Sequence, residues 1–339
     1  MSEIDKSLLI LTGGEVARLL QGQGRAVSAQ VREAYRLHGK GATNLPLSIF
    51  LRFPDSASNR IIAMPGYAGG AMGVAGVKWI GSFPGNRQRG IPRASALIAL
   101  NSTETGRPLV VMEGSIISAR RTAASAAIAA VTLMPSPVRG PIGLMGAGPI
   151  NREVLFALRS EGAELEDVRV FDLDPLASQK LVHTCLEALP GARIVLASSA
   201  MELLEECPLV SIATDAREPH IRRLGSLARQ TILHLSLRDI VPEVIAASDN
   251  VVDDFDHVCR AGTSIELACR TYNNREFVRC TLPDLLLGRA VPPSGERSIL
   301  FSPFGLAILD LAVANFVYRA ALETRVGVRI PDFALNSWE

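Results

Sequence analysis

PIGLMGAGPINREVLFAL, residues Pro141 to Leu158, sets an apolar run against two closely spaced glycines and then a helical pattern. Ile142 to Met145 predict a buried strand, and Val154, Leu155 and Leu158 recur at the spacing of one helix face. A strand that turns into a helix over Gly146-Ala-Gly148-Pro149-Ile150 has the features of a dinucleotide-binding turn. Gly146 allows the tight turn and Gly148 lets the backbone approach a pyrophosphate. The free amides at the start of the helix then face that anion. Asn151 stands where a third glycine or alanine is usual.

Further on, VRVFDLD (Val168 to Asp174) predicts a second buried strand that ends in an acid. Asp172 stands where ribose hydroxyls are held, and a carboxylate there favours NAD over NADP because a 2′-phosphate would meet a like charge. The plainer alternative is an Asp that caps a turn. LVSIAT, TILHLSL and NVVDD continue an alternation of strands and helices to about Asp254, which predicts an α/β, Rossmann-like doubly wound parallel sheet.

Upstream, an opening helix is expected, followed by short apolar runs punctuated by Gly and Pro: SIFLRF, RIIAMP, AGVKWI, ALIAL and PLVVMEGS. These predict a mixed or antiparallel sheet in an α+β N-terminal domain. RTAASAAIAAVTLM (Arg121 to Met134) has the composition of a helix, and PSPVRGP breaks it at the expected domain boundary. The segment from Gly305 to Leu322 is long enough to return to the first domain. The expected division is 1–130 with 316–339 for substrate binding and dimerisation, and 131–315 for NAD binding.

The bulk numbers narrow the class. With 339 residues, 35 basic against 34 acidic side chains and a formal net charge of +1, nothing global favours nucleic acid or membrane partners. The acidic N-terminus lacks the pattern of a signal peptide, and no apolar stretch is expected to span a bilayer. Five cysteines (Cys185, Cys207, Cys259, Cys269 and Cys280) without a CxxC pair predict reduced thiols in a cytoplasm. The five histidines show no zinc spacing, so no metal is expected.

Individual residues carry the chemistry. Lys78 sits between Val77 and Trp79 on a strand suited to burial, which is costly unless an anion pairs with it. Arg121 opens the Ala-rich helix, and a cation there opposes the helix dipole unless it shares a bound anion with the free amides. Arg120 reads as its solvated neighbour. Asp239 follows the strand TILHLSL at the carboxyl end, where doubly wound sheets bind ligands. It is either a proton acceptor or the N-cap of the segment starting at Val241. Thr214 and Ser236, at strand ends, line the same side or simply form turns.

GVKWIGSFPGNRQRGIPRASALIALNSTETGRPLVVMEGSIISARRTAASAAIAA, the glycine turn, LHLSLRDIVPE and FSPFGLAILDLA together resemble the ornithine cyclodeaminase/mu-crystallin family over nearly the whole chain. SIFLRFP, SNRIIAMPGY and FPGNRQRGIPRAS resemble its branch of N-(2-amino-2-carboxyethyl)-L-glutamate dehydrogenases, which supply L-2,3-diaminopropionate for siderophores and antibiotics. The resemblance implies a homodimer and an NAD-dependent oxidation of a secondary amine. Hydrolysis of the imine then gives 2-oxoglutarate and L-2,3-diaminopropionate. It also implies Lys78 and Asp239 as catalytic residues, Arg121 on the substrate carboxylate and Thr122 near the cofactor phosphates. Gly305 and Asp310 match positions that close over cofactor and substrate. A substrate with three carboxylates needs several fixed cations, so Arg52 and Arg93 join Arg121 as candidates, each with a solvated or salt-bridged position as the alternative. True cyclodeaminases carry an acid in the strand before the matching Met-Pro. RIIAMP offers only Ile61, Ile62 and Ala63 there, which disfavours ornithine cyclisation.

Overall fold

The computed structural model describes residues 7–334; the first six residues, the start of the N-terminal stretch without a signal-peptide pattern, and the last five lie outside that range. A strand precedes the expected opening helical region among the described residues. Leu8–Leu11 form strand β1, and Thr12 then starts α1 (Gly13–Leu19) with a capping box: its hydroxyl accepts from the Glu15 amide, and the Glu15 carboxylate accepts from the Thr12 amide. There follow α2 (Gly24–Gly39), β2 (Thr43–Asn44), β3 (Ile49–Phe53), β4 (Ser56–Ala68), β5 (Val74–Ser82), β6 (Ala94–Asn101), β7 (Pro108–Glu113) and α3 (Ser115–Leu133).

The middle of the chain alternates strand and helix. It runs β8 (Ile142–Met145), α4 (Pro149–Ser160), β9 (Asp167–Phe171), α5 (Pro175–Ala188), β10 (Arg193–Leu196), α6 (Ala200–Glu206), β11 (Leu209–Ile212) and β12 (Thr231–His234). After these come α7 (Pro242–Ala247), β13 (Asp249–Val252), α8 (Phe255–Val258), α9 (Ser264–Tyr272), β14 (Val278–Thr281), α10 (Leu282–Leu286) and β15 (Ile299–Ser302). The chain ends with α11 (Ala307–Thr324) and β16 (Val328–Ile330).

Two compact units result. One comprises the residues up to Arg121 together with those from Leu306 onward, and the other Thr122–Gly305. Both cuts fall earlier than the sequence pattern suggests. α11 makes contacts with β4, β5 and β6 and is buried from Ala307 to Ala314, so the whole helix, and not just its second half, belongs to the first unit.

In the first unit the strands run in the order β16-β1-β7-β6-β5-β4-β2, with β3 also on β4; β1 and β7 are parallel and the other pairs antiparallel. Strand alternation gives the sheet two different faces. Met64, Lys78, Ile98 and Met112 stand in one cross-strand row, all buried. Ile49, Ala63, Trp79 and Leu97 form a row on the other face, and its large side chains stay exposed, Ile49 at 68% and Trp79 at 40%.

In the second unit eight strands, all parallel, run in the order β10-β9-β8-β11-β12-β15-β13-β14. The strand order reverses between β8 and β11, the switch point at which open α/β sheets bind ligands. Its core gathers Met145, Val210, Ile212, Ile232, Val252 and Leu300 from the sheet. One correction concerns α3, which is long and apolar enough to cross a bilayer (hydropathy 1.2), where no such stretch was expected. Of its most apolar window, 61% is buried inside the protein, which accounts for its side chains as core.

Candidate active site

In the first unit the buried row of the sheet meets α11. Lys78 is 1% exposed and its Nζ donates to Asp310 Oδ2 at 2.7 Å and to Ser118 Oγ at 3.2 Å. Arg121 Nε donates to Asp310 Oδ1 at 3.0 Å. Burial, reinforced by the nearby Arg121 charge, lowers the Lys78 pKa to about 8 against the opposing pull of Asp310. Asp310 is buried, which by itself would raise its pKa, but Arg121 and Lys78 hold it below the usual carboxylate range. Two cations share one carboxylate, and the cluster keeps a surplus positive charge.

The helix carrying Arg121 begins sooner than its composition suggests. Glu113 caps it, its carboxylate accepting the amides of Ser115 and Ile116, so Arg121 lies well inside α3 and not at its N-terminus. The anion that Arg121 meets is Asp310, not a ligand held by free helix amides. Arg120 is not a solvated neighbour either, since its Nη1 donates to the Leu20 carbonyl beyond α1.

Arg52 is exposed on β3, its guanidinium 5.6 Å from the Phe50 ring. It stands opposite Arg60, which stands opposite Ser82, so register places Arg52 and Arg60 on the same face as Lys78, about 13 Å along the strand. Arg93 is half-buried just before β6, where its carbonyl accepts the Phe83 amide.

In the second unit Gly146 sits at φ +96°, and a Cβ there would lie 2.5 Å from the Ala213 carbonyl at the end of β11, so no other residue fits. Gly148 is the N-cap of α4 with open space at its Cα and no side-chain cap, which suits backbone approach to a pyrophosphate. Pro149 has no N–H to offer, so its contribution is the preset first turn of the helix; the amide donors begin at Ile150. Asn151 is fully buried. Its side-chain amide donates to the Met145 and Gly146 carbonyls and its oxygen accepts from Ser211, so it laces the turn to β11 instead of pointing at a ligand. Asp172 accepts the Ala147 amide at 2.7 Å and the Asp174 amide at 2.9 Å, one on each oxygen, leaving lone pairs for hydroxyls.

Asp239 is fully buried after β12, and it is not a helix cap: Val241 is the N-cap of α7 and makes no side-chain bond. Its carboxylate accepts from the donors Thr214 Oγ1 and Ser236 Oγ, and its Oδ2 lies 3.2 Å from His234 Nε2, which donates to it when it carries the proton. Burial pushes its pKa up, but these donors outweigh it and hold the group at about 2. The hydroxyls of Thr214 and Ser236 are thus committed to Asp239. The loop between is tightly determined, with Leu237 at φ 69° and its carbonyl held by the Ser264 amide, while the Asp239 carbonyl accepts the amides of His220 and Ile221.

Gly305 adopts φ +92° and donates its amide to buried Asp253, which also takes the Phe304 and Asp254 amides. Thr122 lies within α3.

The model of the ornithine cyclodeaminase/mu-crystallin family matches residues 9–223. The chain belongs to this family. Among ornithine cyclodeaminase/mu-crystallin relatives it is 31% identical to alanine dehydrogenase of Archaeoglobus fulgidus, covering 96% of this chain and 99% of that one. It is 29% identical to N-((2S)-2-amino-2-carboxyethyl)-L-glutamate dehydrogenase of Staphylococcus aureus, again over 96% and 99%. A solved Delta(1)-pyrroline-2-carboxylate reductase of Thermococcus litoralis, in complex with NADH and L-proline, superposes with a TM-score of 0.85 at 27% identity, over 94% of this chain and 99% of that one. An archaeal alanine dehydrogenase dimer with bound NAD gives 0.86 at 30% identity, over 96% and 99%.

Three residues of this family member escaped the sequence reading. Arg60 and Asp253 stood inside quoted motifs without a role. His234 had a visible signal, a lone imidazole in the apolar run TILHLSL, and it proves to be fully buried with both ring nitrogens bonded.

Proposed function

We propose that this protein is an NAD-dependent amino-acid dehydrogenase that oxidises the secondary amine of N-(2-amino-2-carboxyethyl)-L-glutamate and releases L-2,3-diaminopropionate and 2-oxoglutarate. The observation that carries the reading is the buried pair of cations, Lys78 and Arg121, on a single carboxylate, Asp310. Surplus positive charge in an apolar wall recruits an anion, and an α-carboxylate supplies it. Arg121 spends Nε on Asp310, and the Nη pair of its guanidinium is the fork that suits a carboxylate. Arg52, Arg60 and Arg93 offer cations for the further carboxylates of this substrate, which alanine lacks.

The glycine turn, the uncapped start of α4 and Asp172 fit a dinucleotide without a 2′-phosphate. A nicotinamide dinucleotide held by these residues would supply the hydride acceptor for the carbon next to the amine. Asp239 takes the amine proton, and later the proton of the water that adds to the imine. Lys78 and Arg121 hold the carboxylate so that the reacting carbon keeps its orientation. Asp253 fixes Gly305, and Asn151 fixes the glycine turn.

The homodimer belongs to the same proposal. The row Ile49, Trp79 and Leu97, with Leu51 beside it, is an exposed apolar sheet face, and a second copy of the chain is the occupant, as in the dimeric archaeal relative.

The slightly higher identity to alanine dehydrogenase favours a second reading, oxidation of L-alanine. Enzyme is incubated with NAD and either synthetic N-(2-amino-2-carboxyethyl)-L-glutamate or L-alanine, and products are read by mass spectrometry. 2-Oxoglutarate and L-2,3-diaminopropionate from the first are expected; pyruvate from the second, with nothing from the first, overturns the assignment.

A further inference from the structure

His234 lies at the end of β12 with no exposure to solvent, and the mechanism above leaves it unused. Buried imidazoles in structural roles need one partner per nitrogen; here the partners suit two protonation states. Nδ1 is 3.2 Å from Ser302 Oγ, a hydroxyl that both donates and accepts. Nε2 lies 3.2 Å from Asp239 Oδ2, an acceptor, and 3.3 Å from the Asp239 amide, a donor. Neutral His234 with its proton on Nδ1 donates to Ser302 and accepts the Asp239 amide at Nε2. Imidazolium donates to Ser302 from Nδ1 and to Asp239 Oδ2 from Nε2. In both states each ring nitrogen keeps a partner in place: Nε2 serves the Asp239 amide in the first and Oδ2 in the second.

We propose that His234 is the proton store behind Asp239. The substrate proton arrives at the Asp239 carboxylate, crosses from Oδ2 to His234 Nε2, and is held there as an imidazolium–carboxylate pair while Ser302 accepts the Nδ1–H. This rests on the reading of Asp239 as proton acceptor. The step balances: the substrate N–H bond breaks and its electron pair becomes the second bond of C=N, as the carbon's hydride leaves with its own pair for NAD. The Nε2–H bond forms, and the net charge of the Asp239–His234 pair goes from −1 to 0. His234 touches no reacting atom and acts through Asp239.

The surrounding charges support a store at this place. A carboxylate that already accepts from two hydroxyls keeps a proton poorly by itself, so the proton needs a second resting place. The other groups nearby are already committed. Thr214 and Ser236 donate to Asp239, and Arg238 donates to the Ala261 carbonyl. Asp253, which follows Val252, the partner of Ser302 on β13, is bonded to three amides. Asp215, after Thr214, makes interactions of its own. The backbone of His220 bonds the Asp239 carbonyl.

The test is His234→Gln, which preserves hydrogen bonding at Nε2 but never becomes a cation. The variant is expected to fold and to bind NADH as wild type does, with kcat lowered ~10²-fold and the acid limb of kcat/KM displaced to lower pH. Wild-type kcat with an unmoved limb overturns the store. Asp239→Asn separates the two ideas: if that variant turns over normally, the reading of Asp239 itself fails. Independently of turnover, nitrogen NMR of histidine-labelled wild-type protein should show one buried ring that titrates together with the acid limb and titrates at lower pH in Asp239→Asn. A ring that stays neutral across the active range overturns the proposal even if His234→Gln fails to fold.

Discussion

Asp310 decides the state of Lys78. Its carboxylate is the influence that keeps the Lys78 proton on against burial and the Arg121 charge, and even so the ammonium has a pKa of about 8. Activity that needs the charged lysine is therefore complete below that pH and is lost as pH rises through it, so kcat/KM should show an alkaline limb near pH 8. Asp310→Asn removes the supporting charge and should move the limb to lower pH, which a pH–rate profile reads directly. Asp310→Ala leaves two buried cations without their counter-charge and should cost about 3–5 kcal/mol in denaturant unfolding. Lys78 was legible in the sequence from the cost of placing charge on an apolar strand, and Arg121 from a helix-start position that the fold moves inside α3. Their partner was not: it lies far along the chain on a helix that only the fold brings back.

Among the elements, the glycine turn was the most readable because its requirements are local: a left-handed residue, an uncapped helix start and an acid one strand away. Asn151 shows what local pattern omits. Its side chain replaces the close helix–strand packing of a third glycine with bonds to two carbonyls of the turn and to Ser211. Asn151→Ala removes those bonds and takes the acceptor from the buried Ser211 hydroxyl, while the Met145 carbonyl keeps the Ala213 amide; it should lower stability by about 1–3 kcal/mol and weaken NADH binding, measured by melting and calorimetry. α3 was misplaced at its start for a similar reason: Glu113 caps it from the preceding strand, and a cap made by a strand residue is not a helix signal in composition.

At the scale of the molecule, alternation of strands and helices announced the parallel sheet, whereas the division into units depended on which sheet α11 covers, a long-range fact. The exposed row across β3, β5 and β6 is the face on which the proposed dimer rests. Trp79→Glu places a charge in the middle of it and should convert a dimer to a monomer in light scattering, with the unfolding midpoint of the remaining fold little changed. The Lys78–Asp310–Arg121 cluster has a consequence for handling the protein as a whole. A cluster that holds more positive than negative charge attracts anions, and small anions in the buffer will compete for it. Chloride or sulfate should inhibit against the amino-acid substrate and not against the dinucleotide, so the apparent KM belongs to the salt as much as to the enzyme.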